Sequence, residues 1–240
     1  MTYSVKEIFL SVQGEGAHTG RVSVFIRFSG CNLWSGREKD RANAVCKFCD
    51  TQFVGTDGLG GGQFKTAALL ADEVLSYWPM NHDGKHDDRD GEKHGEKWVI
   101  CTGGEPLLQL DAPLITALHA AGFKVAVETN GTLKAPSGID WLCVSPKADA
   151  KLVQVSGDEI KLVYPQIENK PEDFAHLDFQ VFSLQPLDNK KDSKKDNKKD
   201  NEKGDEKDDT QDTMRAAFNY CLKHPNWHLS LQTHKYLGVR

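Results

Sequence analysis

Short apolar runs that alternate with helical segments constrain this chain more than any other feature. Val22 to Phe28 (Val-Ser-Val-Phe-Ile-Arg-Phe) reads as a strand, and Thr66 to Trp78 as an amphipathic helix. Trp98 to Thr102 is an apolar strand, and Pro113 to Ala121 a short helix. Lys124 to Glu128, Trp141 to Ser145, Glu159 to Val163, Phe179 to Leu184 and Trp227 to Leu231 predict further strands. Thr213 to Lys223 reads as a helix, with Pro225 just past its end. Strands alternating with helices imply an α/β class with a mainly parallel sheet and right-handed crossovers. The helices are fewer than the strands, which favours an incomplete, open β/α barrel over a full eightfold one. In such sheets ligands gather at the carboxyl ends of the strands.

Two polar segments interrupt the pattern. Asn81 to Lys97 carries His82, His86 and His94 among acids and glycines. Its glycines leave no fixed scaffold for a metal, so a solvated loop is expected. Asp188 to Asp212 repeats Asn-Lys-Lys-Asp tetrads. Asn and Asp are poor helix formers, so this insert too is expected to be a disordered, solvated loop rather than a partner tether. The hydrophobic share of 38% is low only because of these segments. The remainder can bury a core, and one domain over residues 1–240 is expected, with both segments as inserts.

Net charge is −5, which leaves no basic footprint for a nucleic acid. No apolar run reaches the ~18–20 residues of a membrane span, and Met1 to Gly16 lacks a signal-peptide layout. A cytoplasmic protein is expected, and in that setting its six cysteines point to metal or catalytic use rather than disulfides.

Three of those cysteines follow the first predicted strand with the spacing Cys31-x14-Cys46-x2-Cys49. Three thiolates are one short of a closed zinc site and one short of the four that hold an ordinary iron–sulfur cluster. Spacing alone leaves both open: a cluster with one free metal position, or structural zinc that borrows a histidine such as His18. After the next strand stands Thr102-Gly103-Gly104-Glu105-Pro106. Its glycines permit close backbone approach to a ligand, and its acid can accept from a ligand amine. Cys101, Cys143 and Cys221 lie in apolar strands or a helix and read as small hydrophobes.

The cysteine triplet with Gly-Gly-Glu-Pro resembles the radical S-adenosylmethionine (SAM) superfamily. The enlarged first spacing narrows the resemblance, together with Ser11-Val-Gln-Gly-Glu-Gly16, Asn130-Gly131, Ser145-Pro146-Lys147, Gln185-Pro186 and Gln232-Thr-His-Lys235. The chain is similar to the 7-carboxy-7-deazaguanine synthase family over nearly its whole length outside the two inserts. That resemblance implies contraction of 6-carboxy-5,6,7,8-tetrahydropterin to 7-carboxy-7-deazaguanine with loss of ammonia, a step toward queuosine.

The resemblance also implies ligands. Cys31, Cys46 and Cys49 would hold a [4Fe–4S] cluster, and Thr51 a magnesium ion. Gly104 and Glu105 would meet the amine end of SAM; Ser145, Pro146, Lys147 and Gln185, Pro186, Leu187, Asp188 would line the rest. Val12, Gln13 and Gly14 would touch the pterin edge, largely through backbone groups. Glu15 could accept from its amino-pyrimidine nitrogens. Thr102 and His234 would complete the pocket, and Arg240 would reach it from the chain end. Arg27 would meet the substrate carboxylate. A homodimer and a flavodoxin-like electron donor are the family expectation.

Read without the family, Thr51 would cap the turn after Cys49. Arg27, a charge in mid-strand, needs an acid such as Glu15 or Glu7, or a ligand. Two other functions compete: another radical SAM enzyme such as a glycyl-radical activase, and a non-enzymatic zinc- or cluster-stabilised interaction module. The tighter cysteine spacing of the activases and their lack of Ser-Val-Gln-Gly-Glu-Gly argue against the first.

Overall fold

The computed structural model describes residues 2–79, 96–188 and 209–239. Its strands are β1 (Tyr3–Val12), β2 (Val22–Phe28), β3 (Gly62–Phe64), β4 (Lys97–Gly103), β5 (Phe123–Thr129), β6 (Trp141–Val144), β7 (Ser156–Tyr164), β8 (Asp178–Pro186) and β9 (Trp227–Leu229). They form one sheet in the order β3-β1-β2-β4-β5-β6-β7-β8-β9. From β2 to β9 every pairing is parallel, while β1 is antiparallel to both its neighbours. The sheet is not closed, and its two edges, β3 and β9, are three residues each. Short edges offer little template for pairing with another chain.

Every predicted strand is present. The additions are β1, β3 and a short helix α4 (Thr233–Leu237). β1 escapes the period-two reading for a physical reason. A register shift between Val5 and Glu7 puts Val5 and Ile8, three residues apart, into one core. Such a bulge breaks the alternation by which strands are recognised. The cysteine triplet therefore follows the second strand, not the first.

Alternation along the strands separates two interiors. One face packs on helices: Val24, Ile26, Val99, Val125, Val127, Ile160, Leu162 and Leu184 form one core with Leu70, Val74, Leu114 and Leu118. Those last four come from α1 (Ala67–Ser76) and α2 (Ala112–Ala120). Thr66 and Asp111 cap the two helices, accepting from Leu69 N–H and Leu114 N–H at 3.2 and 3.0 Å. The other face points into the barrel. Phe9, Phe25, Trp98, Ile100 and Ala126 make a smaller apolar cluster there, and the rest of that face is polar.

The boundaries of the two polar segments move. Lys97 opens β4 opposite Phe123, and Glu96 pairs with Lys124. Helix α3 runs from Asp209 to Lys223, four residues earlier than Thr213. Its first turn includes Asp212, and acids are favoured at that end of the helix dipole. The expected solvated loops at 80–95 and 189–208 lie outside the described residues.

Candidate active site

A cavity of about 350 Å³ lies inside the barrel, at the carboxyl ends of β2, β4, β5, β6, β7 and β8. Three groups of side chains give it its chemistry.

The first is the cysteine corner. Cys46 and Cys49 line the cavity, and Cys31 packs with Cys49 on a small core of Trp34, Ala44 and Phe53. All three thiols are free. The Cys46 thiol bonds Cys49. That bond drives Cys46 upward and Cys49 down to about 6, against burial, with the Thr51 N–H and the Lys147 ammonium helping Cys49. A depressed thiol beside a cation is the form that binds metals. Cys31 is raised by burial. Among the described residues no three Cys, His, Asp or Glu groups stand at metal-ligand distance, so the Cys46–Cys49 bond would have to open for ligation.

The second group is a buried charge network at the cavity floor. Residues after β1 turn inward, and the Thr233 N–H and hydroxyl hold the Gly14 carbonyl at 2.8 and 3.1 Å. A Cβ on Gly14 would stand 2.2 Å from His234 Nδ1, so glycine is required for His234 to pack there. Lys161, on the inner face of β7, donates to Glu15 at 2.7 Å and to Glu128 at 3.4 Å. Gln13 donates to Glu128 at 2.7 Å and Gln232 to Glu15 at 2.8 Å. Burial would raise the Glu15 pKa, but the Lys161 charge and the bonds from Lys161 and Gln232 hold it down to about 2. Burial acts against the Lys161 ammonium, yet Glu128 and Glu15 push its pKa well above the ordinary value.

The third group closes the mouth. Lys235 of α4 donates to Asp188 at 2.7 Å and to Asp50 at 3.2 Å. It thereby joins the end of β8, the cysteine loop and the C-terminal helix.

Chains similar over their whole length carry one name. A Caulobacter vibrioides protein is 58% identical over 239 residues, covering 100% of both chains, and is called 7-carboxy-7-deazaguanine synthase. Proteins of the same name from Bradyrhizobium diazoefficiens and Burkholderia multivorans are each 52% identical, again over 100% of both chains. The crystal structure of QueE from Escherichia coli superposes with a TM-score of 0.63 at 26% identity, covering 98% of this chain and 95% of that one. No family model matches. The chain belongs to the 7-carboxy-7-deazaguanine synthase family. Its fold is therefore the open barrel of radical SAM type that the sequence implied. The activase and interaction-module readings fall away against relatives matched from end to end. His18 offers the thiols no ligand. It meets Trp98 edge-on and Trp141 at a tilt, toward the amino ends of β4 and β6, with centroids 5.0 and 4.2 Å apart.

The cavity gathers most of the residues that the synthase resemblance singled out. Val12, Gln13, Gly14, Glu15, Arg27, Cys46, Cys49, Thr51, Thr102, Gly104, Ser145, Lys147, Gln185, Pro186, Leu187, Asp188 and His234 all line it. Four others do not. Cys31 sits behind, on Trp34 and Phe53. Pro146 is buried, its carbonyl taken by Asn169 Nδ2 at 3.0 Å. Arg240 lies outside the described residues. Glu105 is fully buried, and its carboxylate accepts from Thr129 Oγ1, Asn130 N–H and Leu107 N–H at 2.7, 2.8 and 3.0 Å. It ties the loop after β4 to the end of β5. At Gly104 a Cβ would lie 2.1 Å from the Gly30 carbonyl and 2.8 Å from Cys31 Cβ, so only glycine admits the cysteine loop.

Other expectations are refined. Gln13 spends its backbone N–H and carbonyl on Arg21 and Gly20, leaving its side chain for the floor. Arg27 Nε bonds Glu7 at 2.9 Å, so the acid expected from β1 is Glu7 and not Glu15. Thr51 donates its N–H to Cys49 and lines the cavity. Gln185 supplies a test of fit. The residue lines this cavity, and its buried Oε1 has no hydrogen-bond partner among the described residues. A buried acceptor without a partner is costly, and a bound donor would satisfy it. The sequence reading assigns no role to Lys161, Glu128 or Asp50, and Gln232 enters it only within Gln232-Thr-His-Lys235. The signal for Lys161 was present: a cation in the apolar run Ile160-Lys-Leu-Val163, the argument already applied to Arg27.

Proposed function

We propose that this chain converts 6-carboxy-5,6,7,8-tetrahydropterin to 7-carboxy-7-deazaguanine with loss of ammonia, in deazapurine and queuosine synthesis. One observation carries the reading: a single cavity joins a three-cysteine corner to a floor of fixed carboxylates and one ammonium. A [4Fe–4S] cluster on Cys31, Cys46 and Cys49, with SAM, supplies radical hydrogen abstraction when bound. The protein's work is to bind, orient and exclude water.

Ser145, Lys147, Gln185 and Leu187 offer the wall for SAM, with the unpartnered Gln185 Oε1 as an acceptor for one of its donors. Gly104 lets the β4 loop approach the cysteine corner. The floor suits the amino-pyrimidine end of a pterin, because Glu15 and Glu128 accept and Lys161 donates in fixed geometry. Arg27, steadied by Glu7, offers a guanidinium to the substrate carboxylate. His234 walls the same space against Gly14. Asp50 and Thr51 provide oxygen ligands of the kind a magnesium ion prefers, where it would polarise the substrate.

A homodimer is part of the proposal, supported by the exposed Phe218 and Leu222 of α3. So are a flavodoxin-like electron donor and a cytoplasmic setting. All six cysteines are free thiols, which suits a reducing compartment. No described helix is long and apolar enough to cross a membrane.

The test is one anaerobic assay. Reconstituted protein is mixed with SAM, magnesium, a strong reductant and the carboxytetrahydropterin, and products are read by mass spectrometry. The expected product is 7-carboxy-7-deazaguanine. SAM cleavage with the pterin untouched would overturn the substrate while keeping the reaction class.

A further inference from the structure

Between Cys31 and Cys46 the chain folds into a 3-10 turn, Glu38–Asn43, and one of its side chains reaches the cysteine motif. Arg41 Nη1 donates to the carbonyls of Lys47 and Cys49 at 2.8 and 3.0 Å. One guanidinium nitrogen thus spans the backbone on both sides of Phe48, within the Cys46–Cys49 turn. Arg41 Nε is held between both oxygens of Glu38, at 2.9 and 2.8 Å. Its Cζ lies over the Trp34 ring, 4.2 Å from the centroid. Trp34 is buried, meets Phe53 edge-on at 5.7 Å and donates to the Arg37 carbonyl at 3.3 Å. Cys31 and Cys49 pack on that same Trp34–Phe53 core.

We propose that Arg41 is the positioning residue of the cluster loop, locking the Cys46–Cys49 turn onto the Trp34 core that also carries Cys31, so that three thiols address one cluster. The inference rests on the cluster assignment above. The 14-residue spacer then has a purpose: it carries both Trp34 and Arg41. Stacking and carbonyl bridging together need a planar fork, which lysine lacks. The Glu38 partner is secondary. Its side chain is 77% exposed, and exposed pairs contribute little.

The test uses the full chain, reconstituted with iron and sulfide without oxygen, as wild type, R41A, R41K and E38Q. Iron per chain, the electron paramagnetic resonance signal of the reduced cluster and the rate of iron loss to a chelator are read beside thermal melting by circular dichroism. R41A is expected to lose iron roughly 10–100-fold faster, the usual scale for groups that support metal ligands, with an altered resonance signal. R41K should not restore it, and E38Q should stay close to wild type. A wild-type cluster that R41A and R41K keep, with unchanged signal and chelator rate, would overturn the inference alone. If R41A does not fold, R41K decides by the same criteria. Wild-type protein that assembles no cluster would overturn the cluster assignment itself.

Discussion

The cysteine loop and the barrel floor border one cavity, but they are built in opposite ways. The loop is local. Arg41 reaches carbonyls six and eight residues away, and Ser35 bonds Asp40 five residues on. It rests on short-range hydrogen bonds and three buried apolar side chains. The floor is assembled from distant chain segments. Lys161 meets Glu15 across 146 residues, and Gln232 meets Glu15 across 217. It holds ions out of water: the Lys161 side chain is only 6% exposed. A local structure can shift its thiols toward a cluster without disturbing the barrel. A buried ion network cannot lose a member without stranding the others.

The largest expected effect breaks the loop's function while sparing its fold. Cys46→Ala should abolish iron binding and turnover together, and leave thermal melting of the metal-free protein nearly unchanged. Turnover by the iron-free variant would sink the cluster reading. Next comes a break in the floor. Lys161→Met should lower stability by ~3–5 kcal/mol, because two buried carboxylates lose their counter-ion. Urea unfolding would show it, and adding Glu15→Gln should recover part of the loss. A drop below ~1 kcal/mol would mean that water reaches the floor.

The same contrast explains what the sequence disclosed. The loop was legible because three cysteines and a Gly-Gly-Glu-Pro run lie close to strand ends. The sheet was legible because apolar strands keep period two, and β1 was missed where a bulge spoils that period. The floor was only half legible. Glu15 and Gln13 sat in a recognisable motif, but Lys161 and Glu128 acquire meaning only when β5 and β7 are brought side by side around β6. Glu105 shows the reverse case. A motif residue beside glycines suggests a ligand, yet its position after β4 turns it toward Thr129 and Asn130. Sequence records which groups are present, while the fold decides whether a carboxylate faces the cavity or the backbone.

Smaller effects sharpen the comparison through pH. Glu15 is held at about 2, below its ordinary 4.5, so its contribution is present above about 4.5 and fades as pH falls toward 2. Lys161 is raised, so its contribution is complete below its ordinary 10.5 and is lost only as pH climbs beyond it. Melting temperatures taken through the acid range should fall less steeply in Glu15→Gln than in the wild type. Equal slopes would assign the acid sensitivity to other carboxylates.

The least stabilising contact joins the two regions. Lys235 bridges Asp50, beside the cysteine corner, to Asp188 at the end of β8. Asp50 is 69% exposed and Asp188 24%, so solvent screens the pair and Lys235→Met should cost at most ~1 kcal/mol of stability. Its effect on binding should be larger than its effect on folding. Asp50 and Asp188 both line the cavity, and this ammonium bridges them. Without it the mouth keeps its fold but loses the tie between loop and barrel. The expected result is a severalfold rise in KM for SAM with kcat and cluster content close to wild type. A fall in kcat at unchanged KM would instead place Lys235 in the chemistry, and unchanged kinetics would show that loop and barrel hold their relation without it.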